Sequence, residues 1–217
     1  KSLEEAQLRL RERPELLAPT LSVALLGVTD FGRDRAVFDQ LRASVLPDLA
    51  SSGGRLRVWS AACSDGRELY SVAILLSQAG LLERAQLLGT DCRPDAIEMA
   101  RRGEFSVESL LNVDQEWRSH FAPLRCGVRA ADRLRASLTW KQADLLAGVE
   151  PGPWDLLLWR NMAIYLEARA AEGLWRSLIE EVAPGGYLVT GKADHPPTHP
   201  HLDKMGSCIY RKRRAIP

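Results

Sequence analysis

Leu56-Arg57-Val58-Trp59-Ser60-Ala61-Ala62-Cys63-Ser64-Asp65-Gly66-Arg67-Glu68-Leu69-Tyr70 is the stretch whose reading decides the fold. Residues 56–62 are short, continuous and largely apolar, which suits a strand buried on both faces. A helical pattern takes over across residues 67–79. Between them lie small residues and Gly66, which let the backbone turn closely around a ligand before the helix begins. The same composition also serves an ordinary tight turn, so on this segment alone both readings stand.

Moving outward, strands and helices alternate. Residues 85–91 read as a second strand and 94–102 as a helix. Residues 138–144 and 154–161 read as the third and fourth strands, and 167–182 as a helix stopped by Pro184-Gly185-Gly186. A fifth strand is expected over 187–190, and a closing hairpin pairs residues 202–205 with 208–212 across Gly206-Ser207. This order predicts an α/β fold, a Rossmann-like parallel sheet with helices on both faces and a C-terminal antiparallel hairpin. Residues 103–137, with Trp117, Phe121 and a basic stretch at 128–135, are too long for a plain helix–strand connection and suggest a small inserted β-subdomain.

Upstream the pattern is helical. Residues 3–13 form a charged helix, Pro14 and Pro19 bracket a break, and 21–26 form a second helical stretch. Residues 34–50 form an amphipathic helix with Val37, Phe38, Leu41, Val45 and Leu49 on one face. The division expected is a short N-terminal helical region with a linker helix at residues 1–50, and a Rossmann-like domain at residues 51–217 carrying the insert at about 103–137.

The composition is that of a water-soluble globular chain, 46% hydrophobic and 26% charged, with a net charge of +1 that gives no global pull toward nucleic acid or an acidic membrane surface. No apolar run approaches the roughly 18–20 residues of a membrane span. The chain opens on Lys1-Ser2-Leu3-Glu4-Glu5, a charged helix rather than a signal peptide, and the absence of an initiating Met fits a chain with sequence preceding it. Cys63, Cys92, Cys126 and Cys208 lack CxxC spacing and read as free thiols of a cytoplasmic protein.

Polar groups stand at successive strand ends. Asp91 ends the second strand, where a carboxylate can accept from both ribose hydroxyls of an adenosine. The alternative, that Asp91 merely caps the next helix, is weakened because Pro94 and Asp95 already serve that start. Asp144, with Leu145, follows the third strand and can reach an adenine amino group. Arg160-Asn161 end the fourth, beside the place where a methyl donor and acceptor would meet. Together with Ala62 and Gly66 these positions describe a nucleoside site. The lack of GxGxxG argues against NAD and for S-adenosylmethionine.

These residues resemble the chemoreceptor glutamate methyltransferase (CheR) family. The resemblance is carried by residues 58–64 with Gly66, Glu68, Tyr70 and Ser71, and by Trp159-Arg160-Asn161-Met162-Ala163-Ile164-Tyr165-Leu166 against that family's Cys-Arg-Asn-x-x-Ile-Tyr-Phe. Thr29-Asp30-Phe31-Gly32-Arg33-Asp34 is similar to its Thr-x-Phe-Phe-Arg segment. Thr90-Asp91, Ala100-Arg101-Arg102-Gly103, Pro184-Gly185-Gly186-Tyr187-Leu188 and Ile209-Tyr210-Arg211-Lys212 also match. The resemblance runs in order over roughly residues 20–214. It implies a divergent member with a shortened N-terminal region, S-adenosylmethionine as cofactor and S-adenosylhomocysteine as product. It also implies a chemoreceptor or related signalling protein as methyl acceptor. By it, Thr29, Arg33, Glu68, Asp91, Asp144, Arg160 and Asn161 line the cofactor site, and Arg33 and Tyr165 stand nearest the transferring methyl.

The chain departs from the family pattern in places. Arg67 and Leu69 replace Glu and Pro, Gly32 replaces the second Phe, Gly27 replaces Asn, Asp144 replaces Asn, and Lys192-Ala193-Asp194 replaces His-Ser-Glu. Two alternatives therefore stay open beside an active glutamate methyltransferase: a catalytically silent cofactor-binding scaffold, and a small-molecule methyltransferase on the same core. No metal is expected, because His195, His199 and His201 lie in a Pro-rich loop without acidic or Cys companions. No nucleic acid partner and no direct membrane insertion are expected.

Overall fold

A computed structural model describes residues 3–13 and 29–214. The helical stretch expected at 21–26 and Gly27 lie outside the described residues. Helix α1 is Leu3–Glu12.

The sheet is built on β1 (Leu56–Ala61) and β7 (Trp154–Trp159), each buried at every position but its second. Strands covered on both faces lose the in–out polarity alternation, which is why the sequence shows apolar runs here. The faces still separate by twos. Leu56 and Val58 join one core cluster, and Trp59 and Ala61 the other. The half-buried exceptions satisfy each other, since the Arg57 backbone N–H donates to Asp155 Oδ2 at 2.8 Å.

The remaining strands are β2 (Ala85–Asp91), β6 (Leu138–Gln142), β8 (Val182–Thr190), β9 (Leu202–Lys204) and β10 (Ile209–Lys212), with the order β6-β2-β1-β7-β8-β10-β9. Strands β6, β2, β1, β7 and β8 are parallel, and β10 runs antiparallel between β8 and β9. The chain winds outward in one direction from β1 and in the other from β7. Their carboxyl ends therefore open a crevice between them, the usual ligand position in such sheets.

Three helical segments cover one face and contribute to the larger cluster: α2 (Arg35–Gln40), α3 (Leu46–Ser51) and α4 (Arg67–Gln78). Helix α5 (Pro94–Arg102) follows β2, and α8 (Ala168–Glu181) covers the other face, where Trp159 meets Trp175 edge-on at 4.2 Å. The helix expected at 34–50 is interrupted by a π-helical turn at Leu41–Val45. Pro47 explains it: proline lacks an N–H and clashes with the preceding turn, so it is placed in the first turn of a fresh helix and the π turn absorbs the mismatch. The strand expected at 187–190 begins earlier, at Val182. The Pro184-Gly185-Gly186 segment forms a register irregularity inside β8 rather than a turn.

The insert carries β3 (Glu104–Phe105), β4 (Phe121–Leu124) and β5 (Gly127–Ala130), an antiparallel sheet of order β3-β5-β4, with short helices α6 (Gln115–Arg118) and α7 (Asp132–Ser137). Phe31 fastens the segment before α2 to this sheet, meeting Phe105 and Phe121 edge-on at 5.0 Å each.

Gly66 begins α4 with φ +87°, and a Cβ there would lie 2.6 Å from the Trp140 ring and 2.9 Å from Ala100 Cβ. Gly54 has open space around its Cβ direction. Gly66→Ala is expected to destabilise the protein by about 1–3 kcal/mol or more through crowding and backbone strain. Gly54→Ala should change stability by less than about 0.5 kcal/mol. Paired urea melts of the two variants check this.

Candidate active site

The crevice between β1 and β7 is a cleft of about 820 Å³, open solvent included. The ends of β1, β2 and β7 line it with Ala62, Asp91 and Asn161, helix α4 contributes Glu68, and the segment before α2 contributes Thr29 and Arg33. Arg160 and Tyr165 complete the group picked out in the sequence. Three of the sequence candidates do not line it. Gly66 lies beneath the Trp140 ring. Asp144 is exposed and Leu145 packs against the α8-side core. Strand β6 ends at Gln142, short of the expected 144, because Asp144 Oδ1 accepts the Leu146 N–H at 2.9 Å and closes a turn.

Backbone conformation concentrates here. The non-glycine residues with positive φ among those described are Asp34, Ala62, Ser64 and Asn161, at +64°, +57°, +52° and +58°. Three of them line the cleft and the fourth follows Arg33. Left-handed geometry costs roughly 1 kcal/mol or more per non-glycine residue. Such a cluster therefore marks a site whose surroundings over-determine it.

Arg160 is the most tightly held group. Its side chain is 2% exposed. Nη1 donates to Glu68 Oε2 at 3.0 Å, Nη2 to Asp34 Oδ2 and to the Arg33 carbonyl at 2.8 Å each, and Nε to the Thr190 carbonyl at 3.4 Å. Its guanidinium also lies 5.5 Å from the Phe38 ring centre. Arg160 thus does not simply line the cleft. It ties β7 to α4, to the end of β8 and to the start of α2, and so fixes where Arg33 leaves the backbone. The second Asp34 oxygen pairs with exposed Lys192 at 3.1 Å.

The two acids expected to hold the cofactor are both anchored. Glu68 Oε1 accepts from the Ser60 hydroxyl at 2.7 Å. Asp91 Oδ2 accepts the Ser64 N–H at 2.8 Å, while its Oδ1 accepts the Arg93 N–H at 3.0 Å and Nε at 3.1 Å. A carboxylate offers about four acceptor positions. Both acids therefore retain capacity for an incoming donor. S-adenosylmethionine brings such donors at both ends, an ammonium and a ribose diol, so the acids present fit it.

The thiols in the lining are poor nucleophiles. Burial pushes Cys63 well above the usual thiol range, and Asp91 and Glu68 push it further. Cys92 is raised by burial and by Asp91. Thiolate chemistry at neutral pH is thereby disfavoured.

The CheR methyltransferase SAM-binding domain matches residues 27–210. A chemotaxis protein methyltransferase of Listeria monocytogenes is 30% identical over 187 residues, covering 85% of this chain and 71% of that protein. Chemotaxis protein methyltransferase 1 of Pseudomonas aeruginosa is 29% identical over 232 residues, covering 98% of this chain and 84% of that one. The chain belongs to the CheR methyltransferase family. By that membership it is an S-adenosylmethionine-dependent methyltransferase.

Several residues of the site carry little sign of that role in the sequence. Asp34 looks like an ordinary helix cap, Arg93 like a surface residue before Pro94, and Asp194 like one acid in a polar loop. The signal for Asp34 was its place directly after Arg33. For Asp194 the only hint was that it ends the segment departing from the family's His-Ser-Glu. Among the described residues, no three His, Cys, Asp or Glu side chains are grouped in a way suited to hold a metal.

Arg160→Ala should destabilise the fold by about 3–5 kcal/mol, because it leaves the mostly covered Glu68 without its cation and Asp34 with only the exposed Lys192. Denaturant unfolding measures this. Asp91→Asn, which keeps the shape but loses the charge, should weaken S-adenosylhomocysteine binding by roughly 10- to 100-fold in calorimetry.

Proposed function

We propose that this protein transfers the methyl group of S-adenosylmethionine to glutamate side chains of a chemoreceptor-type signalling protein in the cytoplasm. The observation that carries the reading is that Arg33 and Tyr165 line the same cleft as Glu68, Asp91 and Asn161. Residues suited to an acceptor carboxylate thus stand beside residues suited to the cofactor. By this reading Thr29, Ala62, Glu68, Asp91 and Asn161 hold the cofactor. Gly66 shapes the turn before α4, and Asp144 and Leu145 stand outside the lining.

The bound cofactor supplies an electrophilic methyl on a sulfonium. A glutamate acceptor is already ionised at neutral pH, with an ordinary pKa of about 4.3, so the protein needs no general base. Its task is orientation. Arg33 can hold a carboxylate by paired charge-assisted hydrogen bonds, leaving one oxygen in line with the methyl group. Tyr165, 58% exposed at the cleft mouth, can reach both the acceptor and the cofactor side. Opposite charges are consumed as the methyl moves, so excluding water favours the transition state.

The insert favours a protein acceptor over a small molecule. None of residues 103–137 is among those lining the cleft, so this segment is not a lid over it. It is a separate three-stranded sheet beside the site. No helix among the described residues is long and apolar enough to cross a membrane.

Labelled S-adenosylmethionine with receptor cytoplasmic fragments should give base-labile methyl esters on the fragment. Arg33→Ala should lower kcat/KM by roughly 100-fold or more while S-adenosylhomocysteine affinity changes much less, as for loss of a charged contact that positions the acceptor. Clean cofactor binding with no ester on any receptor fragment would refute the glutamate acceptor.

A further inference from the structure

Asp194 is 2% exposed and lies beyond the end of β8, outside the cleft lining. Its Oδ2 accepts two backbone N–H groups, from Asn161 and, at 3.0 Å, from Gly191. Its own N–H closes a turn back onto the Gly191 carbonyl at 3.1 Å. Oδ1 is buried and takes no donor among the described residues. A buried carboxylate with half its acceptor capacity unused is costly to keep. Its position must be explained by what the two N–H bonds hold.

What they hold is the conformation of Asn161. This residue sits at φ +58°, which a side chain resists unless the backbone is pinned. The contact is close-fitting: a Cβ on Gly191 would lie 2.6 Å from both Asn161 Nδ2 and Asp194 Oδ2. Asn161 begins the short connection to the 3-10 turn Ala163–Tyr165, whose N–H at Tyr165 bonds back to the Met162 carbonyl at 3.1 Å. Pinning the backbone at 161 therefore sets the direction in which 162–165 leaves β7. Arg160 anchors the same corner from the other side through the Thr190 carbonyl.

We infer that Asp194 is a positioning residue of the methyl-transfer site, acting through the Asn161 backbone to orient Asn161 and Tyr165 in the cleft. This rests on the reading of Asn161 and Tyr165 as cofactor- and acceptor-side residues, but its physical claim can be read without any acceptor.

The test compares Asp194→Ala, Asp194→Asn and Gly191→Ala with the unaltered protein, by amide hydrogen exchange and by calorimetry with S-adenosylhomocysteine. In Asp194→Ala, exchange across residues 161–165 should accelerate by about tenfold or more, the scale of one charge-assisted hydrogen bond, while β1 and β2 keep their protection. Cofactor affinity should fall by roughly threefold to tenfold, and, where a receptor fragment accepts methyl groups, kcat should fall further than that. Asp194→Asn retains an oxygen that can accept both N–H groups and should recover most of the loss. Gly191→Ala, which crowds the same contact, should reproduce the Ala phenotype. Unchanged exchange at 161–165 in Asp194→Ala would overturn the inference. So would acceleration spread evenly over all strands with Asn no better than Ala, since that pattern is general destabilisation. Failure of the glutamate reading would show separately, as absent transfer by the unaltered protein alongside the expected exchange changes.

Discussion

The arrangement around Arg160 is what the rest of the site depends on. Taking a guanidinium out of water is expensive, and it is tolerated only where carboxylates and carbonyls complete its hydrogen bonding. Here two carboxylates and two carbonyls do so, and they come from three separate parts of the chain. Glu68 belongs to the helix after β1, Asp34 and the Arg33 carbonyl to the start of α2, and the Thr190 carbonyl to the end of β8. A single planar group therefore ties together the elements around the crevice that the sheet topology opens. The planar fork of Arg suits this task, since a Lys ammonium in its place lacks the geometry to reach all four.

Positive-φ residues then give the cleft its shape. Ala62 and Ser64 bend the chain away from β1 so that Ser64 N–H meets Asp91, and Asn161 bends it away from β7 under the hold of Asp194. The strain is local, and at Ser64 and Asn161 it is offset by a hydrogen bond that the backbone N–H donates to a buried acid. Acids in this protein thus do two things. Asp34, Asp91 and Asp194 fix backbone or cation positions within the fold. Asp91 and Glu68, which also line the cleft, keep acceptor capacity for a ligand.

The legible part of the sequence was the part governed by burial and period. The apolar runs of β1 and β7, the helix starting at Pro94 and the acid closing β2 all stand where periodicity puts them. Asp91 and Asn161 were visible because strand ends of parallel sheets converge, and Arg33 and Glu68 through the ordered resemblance to the family. Less legible were partners set by contacts between distant segments. Nothing local distinguishes Asp34 or Asp194 from solvated acids, because their partners lie 126 and 33 positions away. Asp144 shows the converse. Its sequence position looked equivalent to Asp91, but a local Asx-type bond ends β6 early and keeps it exposed. Gly66 was recognised as special, and the structure supplies the reason: the Trp140 ring occupies the space a side chain would need.

By itself the sequence determined the parallel sheet, its helical layers, the closing hairpin and the family, since these follow from hydrophobic period, turn chemistry and ordered motifs that read along the chain. Only the tertiary structure decided which charges face the cleft and which are spent inside the fold. That choice depends on distances between segments far apart in sequence, where a few ångströms separate a ligand-facing carboxylate from one that pins a backbone. Arg160 and Asp194 were placed by that constraint, and no local pattern encodes it.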